Sequence, residues 1–189
     1  SFLGLGVVAA AVYGACMSSY GAWNPDRVLM PRVGAVKVPL VLAITTLVCL
    51  PAFWGLCGAS GRRDWFRVAL RCVGESQAVG AVALASVGPF VVVMYLADVS
   101  EATALLANVI AFGVAASAAQ IALWTRLRRE AGPNGSPVRL LACWLVLYGL
   151  VGVQVAWMAR PVIVPRDEPF AVLREDPFTN GYIAVARII

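Results

Sequence analysis

Residues 76–125 read SQAVGAVALASVGPFVVVMYLADVSEATALLANVIAFGVAASAAQIALWT. Two uncharged runs, Ser76–Ala97 and Ala102–Thr125, flank a short break that holds the stretch's only charges, Asp98 and Glu101. Each run is long enough to cross a hydrocarbon core of about 30 Å at ~1.5 Å per helical residue. A buried helix of a soluble protein seldom continues that far without a charge. The connector Ala97–Glu101 is too short to let the chain do anything but double back. Two membrane helices in an antiparallel hairpin follow from this stretch alone.

The rest of the chain repeats the pattern. Ser1–Pro25, Val38–Gly61 and Leu140–Ala159 are also uncharged, so all 25 Lys, Arg, Asp and Glu residues of the 189 lie between or beyond five apolar runs. Only 13% of the chain is charged, 61% is hydrophobic, and the mean hydropathy is +0.82. Soluble domains carry roughly 25% charged residues, so most of this surface is not built for water. The expected fold is an all-α polytopic transmembrane helix bundle of about five spans, or four if Ser1–Pro25 does not cross. Residues 1–160 form the bundle, and residues 161–189 form a short extramembrane C-terminal tail.

Local patterns fill in each segment. Ser1–Pro25 has no basic leading region and is not expected to be an intact signal peptide. Its Gly4, Gly6, Gly14 and Gly21 suit close helix approach in lipid. Asn24–Lys37, with Pro25 and Pro31, reads as a turn-rich connector. Helix two follows over Val38–Leu56, with Pro39 in its first turn and Pro51 inside. In Gly58–Glu75, Arg63, Arg67 and Arg71 recur every four residues, while Trp65, Phe66, Ala69, Leu70 and Val73 take another face. That pattern fits an interfacial amphipathic helix, and equally a polar extension of the next span.

Helix three, Gln77–Leu96, contains Gly88-Pro89, a kink signal. Helix four sets Ala107, Ala111, Ala115 and Ala119 on one stripe for close packing, then ends in Arg126, Arg128 and Arg129. Helix five, Leu140–Met158, ends at Trp157, Arg160 and Pro161. The tail holds the turn signal Thr179-Asn180-Gly181 and an apolar end, Ile183–Ile189, too short to span.

Net charge is +5, from fourteen Arg and one Lys. The arginines adjoin apolar ends, so they face lipid phosphates and orient the chain rather than bind nucleic acid. Connectors two-to-three and four-to-five carry eight Arg, the opposite connectors three basic residues and the tail four. The eight-Arg side is expected to be cytoplasmic, with the C-terminal tail outside, periplasmic in a bacterial inner membrane.

Chemistry is read mainly by exclusion. There is no histidine, which removes imidazole acid–base catalysis and histidine-held metals or haem. Five cysteines lack CxxC spacing, so neither a zinc site nor a disulfide framework is expected. Gly4-Leu5-Gly6-Val7-Val8-Ala9 mimics a dinucleotide fingerprint but has no βαβ context. Carboxylates at Asp167, Glu168, Glu175 and Asp176 have no cation-loop spacing and pair more simply with Arg166 and Arg174. No catalytic residue, metal ligand or cofactor is expected, and the chain is not read as an enzyme. Polar residues within the spans do not ionise; Asn108, Gln120 and Gln154 are the candidates for interhelical hydrogen bonds.

Val36–Leu56 with the Arg-rich loop after it, LVLYGLVGVQVAWMARPVI (Leu145–Ile163) and LREDPFTNGY (Leu173–Tyr182) resemble uncharacterised bacterial polytopic membrane proteins distantly similar to the Yip1 superfamily. The resemblance covers most of the chain. It implies five spans with the N-terminus inside and a membrane-organising or assembly role, and it brings no catalytic residues with it. The expected function is a non-catalytic scaffold or accessory subunit whose partners are the lipid bilayer and other membrane-protein subunits or further copies of itself. The alternative is a small channel or transporter component built around a polar seam on helices four and five.

Overall fold

The computed structural model describes residues 2–20, 28–59, 65–131 and 138–159, except for the side chains of residues 131 and 138–140. The tail from residue 161 onward lies outside the described residues, as do Arg63 and the connector residues 132–137. Five helices make up the fold: α1 (Phe2–Met17), α2 (Met30–Ala59), α3 (Trp65–Leu96), α4 (Glu101–Ala131) and α5 (Val138–Met158). The protein is an all-α bundle, and α2 to α5 are each long and apolar enough to cross a membrane.

Neighbouring contacts give the directions of the helices. Gly6 of α1 lies against Ala78 of α3, and Gly88 of α3 against Cys16 of α1, so α1 and α3 run parallel. Gly14 of α1 meets Gly34 and Val38 of α2. Phe53 of α2 packs on Trp144 of α5 with ring centroids 4.9 Å apart, and Gly152 of α5 lies beside Thr45, so these two are antiparallel. Gly80 of α3 faces Ala115 and Ala119 of α4, while the Tyr95 hydroxyl reaches Asn108, so this pair is antiparallel too. Helices α1, α3 and α5 therefore point one way, α2 and α4 the other. The principal packing order across the bundle is α4, α3, α1, α2, α5.

The faces that look away from these contacts are apolar and bare. Phe90, Leu47, Val109, Ile121 and Val146 are all more than 60% exposed. In water such a surface would be an aggregation hazard; here it is the face for lipid acyl chains.

The hairpin between α3 and α4 is closed by local chemistry. Asp98 ends α3 in a left-handed conformation (φ 58°), which a short polar side chain tolerates better than a branched one. Ser100 then caps α4: its Oγ accepts from the Thr103 amide at 3.3 Å, and its carbonyl accepts the first helical bond from Ala104 at 2.9 Å.

Three boundary differences from the sequence reading bear on the packing. First, Met30–Lys37 is helical, so α2 begins eight residues earlier than Val38. Pro31 sits in its first turn, where a missing amide proton costs nothing, and Lys37 reaches the Ala159 carbonyl at the end of α5, 3.1 Å away. That contact lets a cation inside α2 satisfy the negative end of a neighbouring helix. Second, Trp65–Glu75 is continuous with the third span, so the extension reading of the arginine-patterned segment holds over the described residues. Ala69, Cys72 and Val73 are buried on the face opposite the arginines, which anchors those turns to the bundle. Third, α4 runs past Thr125 to Ala131.

α1 has 16 described helical residues, about 24 Å of helix. Leu3 lies beside Gly74, where the apolar part of α3 begins, and Tyr20, in the turn after α1, bonds to the Val99 carbonyl past the far end of that helix. The segment thus extends alongside most of the apolar length of α3.

The α1–α2 contact depends on two glycines. A side chain at Gly14 would run into the Gly34 carbonyl, and one at Gly34 into Ser18 and the Gly14 carbonyl. Gly113, by contrast, opens onto free space. Gly14→Leu is therefore expected to lose at least ~1–3 kcal/mol of stability, the usual scale of overpacking, whereas Gly113→Leu changes little. Thermal denaturation in detergent measures both; equal effects would mean that this contact is not tight.

Candidate functional site

The buried carboxamide of the spans is Asn108, 2% exposed on the face of α4 that meets α3 and α1. It lies seven residues into α4, about 10 Å along the helix from Glu101, and so in hydrocarbon rather than at the surface. Its Nδ2 donates to the Ala104 carbonyl at 2.7 Å and to the Tyr95 hydroxyl at 2.5 Å. Its Oδ1 accepts from the Tyr13 hydroxyl at 2.8 Å.

The direction of these bonds is fixed by chemistry. A backbone carbonyl only accepts, so the amide nitrogen, not the oxygen, must face Ala104. Tyr13 is then the donor to the remaining oxygen. Tyr95 accepts from Asn108 and sends its own proton to the Met17 carbonyl, 3.4 Å away at the end of α1. That carbonyl is among the last of its helix and lacks an intrahelical partner. One carboxamide and two phenols thus join three helices with every proton placed.

Aromatic packing surrounds this cluster. Phe112 meets the Tyr13 ring edge-on at 5.5 Å, and Tyr20 meets Tyr95 at 5.1 Å in a similar geometry. Ala10, Val91, Ala104 and Ala111 complete a buried layer that excludes water from the bonds.

The other candidates from the sequence take different places. Ala111, Ala115 and Ala119 are buried along α4 against α3, and Ala107 is half-buried beside them. The tightest approach is at Gly80, where an added Cβ would stand 3.1 Å from the Ala119 Cβ. Gln120 is half-buried, and its Oε1 is buried with no hydrogen-bond partner among the described residues. Gln154 is half-buried on α5. These two glutamines and Asn108 do not form a common seam: Asn108 belongs to the α1–α3–α4 cluster.

The basic residues gather at the opposite end from Asn108. Glu75 on α3 is paired with Arg71 at 3.1 Å and with Arg126 from α4. Arg128 lies over the Trp124 ring, 5.2 Å from its centroid. Arg67 and Arg129 are exposed. Below this rim, Phe53, Cys57, Ala69, Val73, Leu123, Leu127 and Trp144 form a second buried cluster. All five cysteines are free, and no group of three His, Cys, Asp or Glu residues gathers as a metal site among the described residues.

Sequence reasoning passed over Tyr13, Tyr95, Gln77 and Tyr148. The last two join α3 to α5 through a 3.1 Å bond from the Tyr148 hydroxyl to the Gln77 Oε1. A signal was present: a tyrosine in an uncharged run has a hydroxyl that must find a partner once water is gone.

Comparison with known protein families, with curated proteins and with solved structures finds no match. None of these comparisons bears on the resemblance to Yip1-type proteins.

Asn108→Leu removes three hydrogen bonds and strands the Tyr13 hydroxyl. It is expected to cost about 1–3 kcal/mol, the penalty of leaving a buried polar group unpaired. Gln120→Leu removes an acceptor that has no partner among the described residues, and is expected to be neutral or stabilising. Unfolding by SDS or heat in detergent ranks the two; a larger loss at Gln120 would contradict the assignment of the α4 polar contact to Asn108.

Proposed function

We infer that this integral membrane protein is non-catalytic and works as a scaffold or accessory subunit of a larger membrane complex. The observation that carries the reading is the use of Asn108. Both of its amide protons and its oxygen are taken up by Tyr13, Tyr95 and Ala104, which leaves no donor to offer a permeant ion or a substrate. This buried amide is a tie between helices, and that favours assembly over transport.

The peripheral helices support the same reading. α5 rests mainly on α2, and its Val146, Leu150 and Val153 are exposed, as are Val109, Ile110 and Val114 on α4. Such faces accept either lipid or the apolar helices of neighbouring subunits. The charged residues agree with a defined orientation. Arg67, Arg71, Arg126, Arg128 and Arg129 mark one end of the bundle, against Arg32 and Lys37 towards the other. By the excess of basic residues on cytoplasmic loops, the five-arginine end faces the cytoplasm and α5 ends on the outer side. The resemblance to bacterial Yip1-type proteins supports reading that membrane as a bacterial inner membrane and the outer side as the periplasm.

Purification in mild detergent followed by native mass spectrometry tests the reading. The expected result is a complex of fixed stoichiometry containing other membrane proteins, and no ion flux when the chain alone is placed in liposomes. A lone symmetric oligomer that conducts ions, with conduction lost in Gln120→Leu or Gln154→Leu but assembly retained, would replace it with the channel reading.

A further inference from the structure

Between the arginine-bearing ends of α3 and α4 lies a cavity of about 240 Å³, lined chiefly by Arg71, Cys72 and Glu75 on one side and Arg126, Arg129 and Glu130 on the other. At ~30 Å³ for each water in the liquid, that is room for about eight waters, or for one phosphate ester and its immediate substituents. Three arginines against two glutamates leave the lining at +1. Glu75 is already shared by Arg71 and Arg126, and Arg129 has no ion-pair partner among the described residues.

Depth identifies the class of anion. From Glu75 to Leu96, α3 rises 21 residues, about 32 Å, which matches a hydrocarbon core of about 30 Å. With the Asp98 connector at one headgroup plane, the cavity stands at the other. On the bilayer side of the cavity, Val79 and Val82 follow Glu75 at helical spacing on α3, and Ala122 and Ala118 follow Arg126 and Arg129 on α4. All four are wholly or partly exposed. A charged cradle at headgroup depth thus continues into a shallow apolar track made of small side chains.

We propose that this cavity is a binding site for an acidic phospholipid, with Arg129 and Arg126 holding the phosphate and an acyl chain lying along Val79, Val82, Ala118 and Ala122. Glu75 keeps Arg71 and Arg126 in place, so that the guanidinium forks are organised before the lipid arrives. Arg129 forms no ion pair among the described residues, so its guanidinium is open to the phosphate. A phosphocholine lipid, whose own cation offsets its phosphate, is held less well.

The test uses the full chain in neutral detergent, with bound lipid counted by native mass spectrometry. Phosphatidylglycerol and phosphatidylcholine are added separately. One phosphatidylglycerol per chain is expected to remain bound, in clear preference to phosphatidylcholine. R129Q, at an exposed position that the fold does not need, is expected to weaken retention about tenfold, as for a lost hydrogen bond between charged partners. R67Q, exposed at the same end of the bundle but outside the cavity, is expected to leave it unchanged. Excess inorganic phosphate is expected not to displace the lipid. Equal retention of both lipids, or equal losses in R67Q and R129Q, would overturn the site in favour of diffuse surface attraction. Full displacement by inorganic phosphate would overturn the lipid and make this a site for a soluble anion.

Discussion

A carboxamide carried into hydrocarbon must satisfy two protons and an oxygen without help from water, and much of this bundle is arranged around that requirement. Asn108 is on α4, which packs chiefly on α3. Its oxygen nevertheless takes a proton from Tyr13 on α1, and its nitrogen meets Tyr95 on α3. The tie therefore specifies register as well as proximity. Sliding α4 by one residue along α3 would rotate the amide by about 100° and leave three polar atoms unmatched. Alanine contacts alone would not resist such a slip, because one small side chain fits a groove about as well as the next.

Hydrogen bonds of this length also demand that the backbones come close, and that is the task of the small residues. Gly14 against Gly34, Gly6 against Ala78, and Gly80 against Ala115 and Ala119 draw α2, α1, α3 and α4 together in sequence. In lipid there is no gain from hiding one apolar face against another. Close packing and a few satisfied polar groups must supply the specificity, and each depends on the other here. A bulky residue at Gly6 would move α1 from α3, and with it the Tyr13 hydroxyl from Asn108. α5 lacks any comparable glycine contact. Aromatic packing of Trp144 on Phe53, the Tyr148–Gln77 bond and the reach of Lys37 to Ala159 hold it instead.

How much of this the sequence disclosed depends on the kind of signal. The long runs, their charged ends and the tight turn at Asp98 were plain, because the bilayer sets length and charge placement so strictly that composition records them. The alanine stripe of α4 was legible from its four-residue spacing, and Asn108 from its position on that helix. What could not be read was partnership. Asn108 and Gln120 look alike in the sequence, both amides within one apolar run, yet one has three bonds and the other a buried oxygen with none among the described residues. The difference lies in which neighbour happens to be a tyrosine 95 residues away. Helix starts were misjudged for a related reason. Pro31 and Lys37 look like loop residues until a neighbouring carbonyl and a first-turn position make them acceptable in a helix.

The segment least certain from sequence is the one that joins the bundle. α1 is short, but it lies between α2 and α3, and those two make little direct contact with one another. Without α1, the pair α3–α4 and the pair α2–α5 would be linked mainly through the aromatic cluster near the arginine end. The far half of the bundle would lose the Gly14–Gly34 contact and the donor to Asn108 together. A helix with almost no amphipathic pattern is suited to this position. It must face a helix on either side and lipid on what remains, so small and apolar residues are wanted all round it. Tyr13 is the exception, and its hydroxyl, buried in the middle of the segment, is the atom that connects α1 to the most distant helix it touches.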